Sequence, residues 1–122
     1  MKTISLTHLE HRNQNPNATP ESIQNFYDEA TEDYTFWSKD FNMHFGYYSY
    51  GRTNPLRRDS MLNEMNRQIM LRLNLPHTST MVADLGCGMG GSMHYMMERN
   101  PLLSMIGITL SEFQVSEGNT RL

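Results

Sequence analysis

The sequence predicts an α/β fold built on the start of a parallel sheet, and three observations carry that prediction. A short, mostly apolar segment, Thr80-Met81-Val82-Ala83-Asp84-Leu85, runs directly into the glycine cluster Gly86-Cys87-Gly88-Met89-Gly90-Gly91, as a buried parallel strand does before a tight turn. A helical stretch and a second apolar segment, Leu103 to Ile108, follow, giving the strand, helix, strand order of a parallel crossover. Two long stretches with apolar residues at helical spacing precede the first strand. The length of 122 residues sets a ceiling of one domain.

Taken in order, residues 1–18 are polar, with Asn13, Asn15, Pro16 and Asn17 close together, and they are expected to form a flexible N-terminal arm. At Thr19-Pro20-Glu21 the chain gains a capping residue, a proline suited to the first helical position and an early negative charge. Ile23, Phe26, Tyr27, Ala30, Tyr34, Trp37 and Phe41 then trace one face, which predicts an amphipathic helix over roughly residues 20–39. The stretch Asn42 to Gly51 is dense in aromatics and irregular, so it is expected to fold back over another part of the chain. Asn54-Pro55 repeats the cap and proline pattern, and Leu56, Met61, Leu62, Met65, Ile69 and Leu73 mark a second helix reaching Leu75-Pro76. Residues 19–76 thus read as a helical lid, and 77–122 as the start of the sheet domain. Ser92 to Glu98 reads as a helix, and Ser111 with Gln114 forms an S-x-x-Q capping box that starts another at Glu112.

Composition narrows the function. Ten Lys and Arg against thirteen Asp and Glu give a net charge of −3 with no block of either sign, which removes the electrostatic footprint of nucleic-acid or polybasic membrane binding. No apolar run is long enough to span a membrane, and the first twenty residues have no apolar middle of a secretory signal. A cytoplasmic protein is expected. The one cysteine, Cys87, forbids an internal disulfide framework and a multi-cysteine metal site; it reads as a small residue in a tight loop. His8, His11, His77 and His94 are too scattered for a ligand set, and no H-E-x-x-H spacing appears, so no metal site is expected. The eleven methionines read as core filler.

A strand feeding a glycine loop that opens a helix is half of a nucleotide-type binding unit. Glycine lets the backbone approach a ligand, and the helix amides point at it. Gly86-x-Gly88-x-x-Gly91 satisfies the dinucleotide pattern, but two neighbours argue for another ligand. Asp84 would oppose a pyrophosphate and attract a ligand bearing an ammonium and a sulfonium. No acid follows at about 20 positions to hold a ribose hydroxyl.

Val82-Ala83-Asp84-Leu85-Gly86-Cys87-Gly88-Met89-Gly90-Gly91 resembles the first motif of class I S-adenosylmethionine-dependent methyltransferases. Gly107-Ile108-Thr109-Leu110-Ser111-Glu112-Phe113-Gln114 is similar to the G-[IL]-T-L-S-x-x-Q segment of the branch that holds cyclopropane fatty-acid synthases and tocopherol-type methyltransferases. Tyr27-Asp28, followed by Asn42-Met43-His44-Phe45-Gly46-Tyr47-Tyr48, looks like the lid that precedes the first strand in these enzymes. The resemblance implies a Rossmann-like fold and S-adenosyl-L-methionine as cofactor. It also implies a small-molecule acceptor, methylated on oxygen or carbon. Asp84 would anchor the donor's amino end, Gly86, Gly88 and Gly90 would line its methionyl part, and Thr109, Leu110 and Gln114 would flank its adenosyl part. Tyr27 and His44 would face the donor from the lid. Such a fold has a seven-stranded sheet, so these residues are expected to supply only the donor-binding half, completed by the rest of an enzyme or by another chain.

Simpler roles compete for several of these residues: Gln114 as a capping partner, His44 as a hydrogen-bonded loop histidine and the aromatic helix face as packing. Two other functions share the glycine loop, a nicotinamide-dependent oxidoreductase and a non-catalytic assembly module that associates through an unfinished sheet edge.

Overall fold

The structure, a computed structural model, describes residues 4–8, 19, 21–23, 25–27 and 38–120. Its elements are β1 (Ile4–His8), α1 (Arg58–Leu73), β2 (Thr80–Leu85), α2 (Gly91–Arg99), β3 (Leu103–Thr109) and α3 (Glu112–Thr120). The sheet is parallel with order β1-β3-β2, Thr80 paired with Leu103 and Ile4 with Met105. The α/β class and the strand, glycine loop, helix, strand order are as the sequence predicts.

The first correction falls at the N-terminus. Ile4–His8, expected to belong to a flexible arm, is a strand in register with Met105 to Thr109. A strand at this outer position satisfies the β3 backbone groups that would otherwise form an open edge. The remainder of 1–18 lies outside the described residues.

Residues 21–23 and 25–27 are helical, and Thr19 caps them as expected. Its Oγ1 accepts the Ser22 amide at 3.1 Å and its carbonyl accepts the Ile23 amide at 3.2 Å. The rest of the expected 20–39 helix, including Trp37, lies outside the described residues. The second helix starts later than the Asn54-Pro55 pattern suggests. Asn54 Oδ1 accepts the Leu56 amide at 2.9 Å and its carbonyl accepts that of Arg57 at 3.0 Å, so the pattern makes a turn and α1 begins at Arg58.

Methionine fills the core. Met93, Met96, Met97, Leu103 and Met105 are buried together, with Val82, Met70 and Val115 against them, each such side chain adding roughly 1.5–3 kcal/mol. Side chains alternate across a strand, so Val82 and Asp84 share a face with Met105 and Gly107, the face that α2 covers. On the other face Met81 is 69% exposed and Leu85 75% exposed.

α1 packs on α2, and its buried residues are Leu62, which belongs to the expected apolar stripe, and Glu64 and Asn66, which do not, while Ile69 and Leu73 of that stripe are exposed. The polar pair is buried because each member is saturated with partners. Glu64 receives Arg67 through both carboxylate oxygens, at 2.8 and 2.7 Å, and the Gln68 amide at 2.8 Å, with Arg52 3.8 Å away. The bidentate Arg67 bond, above all, holds the Glu64 carboxyl down at about 2. A depressed carboxylate stabilises the fold fully above its ordinary pKa, and that contribution is lost as the folded form takes up protons. Urea midpoints are therefore expected to fall as pH drops from about 4.5 to about 2. Glu64→Gln should lower stability by about 2 kcal/mol at pH 7 and flatten that acid limb.

Among the described residues, no helix is long and apolar enough to cross a membrane.

Candidate functional site

The glycine loop forms where β2 ends. The amides of Gly86 and Cys87 both donate to the Ile108 carbonyl, at 2.7 and 3.1 Å, fastening the loop to the end of β3. Gly86, Gly88 and Gly90 have φ of +86°, +56° and +82°, a region in which a side chain costs roughly 1–2 kcal/mol. Gly88 is further constrained by Met43, whose Sδ lies 2.6 Å from where a Cβ would stand. Gly91 opens α2 against the loop above it, since a Cβ there would meet the Asp40 carbonyl oxygen at 2.5 Å and Phe41 backbone atoms at 2.7 Å.

Two cavities flank this loop. One, about 310 Å³, has Asp84, His44 and Ser92 among its lining, with Gly86, Met43 and an apolar wall of Phe41, Ile69, Leu73, Val82, Met96 and Met105. The other, about 230 Å³, is lined by Phe26, Tyr27, Met43, Gly86, Gly88, Thr109, Leu110 and Gln114. Eight of the nine residues singled out from the sequence therefore line one cavity or the other, Gly86 lining both. Gly90 lines neither. Its amide donates to the Cys87 carbonyl at 3.0 Å and its carbonyl accepts the His94 amide at 2.9 Å, so it shapes the turn into α2, and Gly91 reaches the cavity in its place.

Burial raises the Asp84 carboxyl above the ordinary aspartate range, and nearby His44 offsets part of that rise. A half-buried carboxylate that gains from a cation suits a ligand carrying one. Burial and then the Asp84 charge push the Cys87 thiol up to about 12, which disfavours its thiolate form.

His44 places Nδ1 2.9 Å from the Phe45 carbonyl oxygen and Nε2 2.7 Å from Asn66 Oδ1, two acceptors between which a neutral ring donates its one N–H according to its tautomer. Asn66, fully buried, also accepts Ser92 Oγ–H at 2.8 Å and donates to Asn42 Oδ1 at 2.7 Å. One amide thus joins the aromatic loop, α1 and the first turn of α2, which fixes the height of the loop above Asp84.

At the other cavity, Gln114 is more than a cap. Its backbone amide donates to Ser111 Oγ at 3.1 Å, as the capping box requires. Its side chain turns inward, where Oε1 accepts Thr109 Oγ1–H at 2.6 Å and Nε2 donates to Met43 Sδ at 3.7 Å. Thr109 and Gln114 are both buried, so the polar atoms at this cavity are held in place before any ligand arrives.

Sequence reasoning missed Asn66, Ser92 and Met43. Asn66 left one signal, a poor helix former inside a helix and four residues after the apolar Leu62. Ser92 left only its place after two glycines, and Met43 left none.

No family model matches the chain, and no curated protein does. Among solved structures, the chain is similar to the geranyl diphosphate C-methyltransferase of Streptomyces coelicolor A3(2), crystallised with Mg2+, geranyl-S-thiolodiphosphate and S-adenosyl-L-homocysteine. The TM-score is 0.64 at 20% identity, over 88% of this chain and 45% of that one. The chain thus has the Rossmann-like fold of that methyltransferase and spans a little under half of its length.

Proposed function

We propose that this chain is the donor-binding part of an S-adenosylmethionine-dependent methyltransferase acting on a small molecule. The observation that carries the reading is the pairing of cavities across one glycine loop. A half-buried carboxylate stands in the first and a preformed Thr109–Gln114 pair in the second.

These residues fit the donor. Asp84 takes its ammonium, and the left-handed glycines let its sulfur pass close to the backbone. Thr109 and Gln114, with Leu110 and Tyr27 beside them, take the nucleoside. His44, locked by Asn66, faces the amino-acid end. The donor supplies an activated methyl group on a sulfonium. This chain's residues supply alignment and exclusion of water, which lower the barrier to an in-line transfer. The loop that carries Asn42 and His44, tied to α1 and α2 through Asn66, serves that exclusion. The acceptor is a small molecule methylated on carbon or oxygen. A dinucleotide is the poorer ligand, because its pyrophosphate meets the Asp84 carboxylate.

Calorimetric titration of S-adenosylhomocysteine into the 122-residue chain tests this. Saturable one-to-one binding is expected, with no heat from NADH. A folded chain that binds neither speaks for the assembly module, and one that binds NADH alone speaks for an oxidoreductase.

A further inference from the structure

Met43 is the side chain that the two cavities share with the glycine loop, and no role follows for it from the motifs around it. It lines both cavities. Its Sδ rests on Gly88, 2.6 Å from the place of a Cβ, and accepts the Gln114 Nε2–H at 3.7 Å. The thioether therefore lies between the nucleoside side and the carboxylate side, across the glycine backbone that joins them.

We propose that Met43 is a movable partition that must leave Gly88 before a two-ended ligand can occupy both cavities. The inference rests on the donor-binding reading above. A ligand with a nucleoside at one end and an amino acid at the other, joined through one sulfur, has to thread past Gly86 and Gly88, through the volume that the Met43 sulfur fills. A nucleoside alone needs only the second cavity and leaves the partition where it is. Methionine suits this part because its side chain is unbranched, with three rotatable bonds and a weakly bonding sulfur. It can swing aside without unfolding the loop, and its bond to Gln114 is weak enough to break. The closed position lowers apparent affinity for the long ligand in proportion to the fraction of time the path is open. Met43 is a positioning residue, since it sets which ligands reach across the site.

The test compares the 122-residue wild type with Met43→Ala and Met43→Ile, each titrated with adenosine and with S-adenosylhomocysteine. Far-UV circular dichroism checks the fold of each. Alanine removes the partition, and isoleucine keeps its bulk but is stiff at χ1. S-adenosylhomocysteine is expected to bind about tenfold tighter to the alanine variant and about tenfold weaker to the isoleucine variant. Met43 also walls the adenosine cavity and bonds Gln114, so adenosine is the reference, and its affinity is expected to move clearly less than that of S-adenosylhomocysteine in both variants. Adenosine and S-adenosylhomocysteine moving together would make Met43 an ordinary wall residue and overturn the partition. So would an indifference of S-adenosylhomocysteine to both variants. If adenosine and S-adenosylhomocysteine both fail to bind to any of the three folded proteins, the donor-site reading itself falls, and the partition with it.

Discussion

Asp84→Asn is expected to weaken S-adenosylhomocysteine binding by about 10- to 100-fold, the range for losing a charge-assisted hydrogen bond in a partly desolvated site. The same substitution should raise the melting temperature at neutral pH. Burial lifts the Asp84 carboxyl above its ordinary value, so its ionised form costs the fold stability, and that cost disappears as pH falls through the raised pKa. A neutral amide removes the cost at every pH. Affinity and stability thus move in opposite directions, which separates a binding role from a structural one. In the wild type, affinity should decline on acidification as Asp84 takes up its proton, while the asparagine variant lacks that limb. Calorimetry across pH, beside thermal melts, reads both. A variant with unchanged affinity would remove Asp84 from the site.

Gly91→Ala should destabilise the chain by about 2 kcal/mol, because the added Cβ meets backbone atoms of Asp40 and Phe41, which cannot rotate aside. The damage extends to the site. Phe41 lines the carboxylate cavity and already holds a left-handed φ of 55°, so displacing it alters the wall facing Asp84. Urea unfolding measures the first effect and the titration above measures the second. A variant as stable as wild type would show that the loop gives way freely and that its height over α2 is not set at Gly91.

The sequence made β2, the glycine loop and β3 readable because their chemistry is local. An apolar run of strand length, glycines that need positive φ, and an acid at the strand end are all written within ten residues of one another. The same holds for Ser111 and Gln114, although the second use of Gln114, with Thr109 and Met43, depends on a loop 71 residues away. The Asn66 junction was hidden for that reason. A buried asparagine declares itself only through partners, and three of them, Asn42, His44 and Ser92, come from other elements. The turn at Asn54 and the later start of α1 show a cap signal used for a neighbouring purpose, since the Asx turn and the N-cap draw on one side-chain geometry. For β1 a signal did exist. Ile4-Ser5-Leu6-Thr7 alternates apolar and polar residues, as an edge strand does, but the segment is short and its partner lies far along the chain.

That separation bears on how the chain folds. Pairing β2 with β3 closes only the short crossover through α2, whereas pairing Ile4 with Met105 closes a loop of roughly a hundred residues. Loop closure costs about 0.6 kcal/mol for each doubling of length, so the long closure is entropically dearer by about 1 kcal/mol. β1 is therefore expected to dock on a β3 already paired with β2, after the glycine turn beside Asp84 has formed.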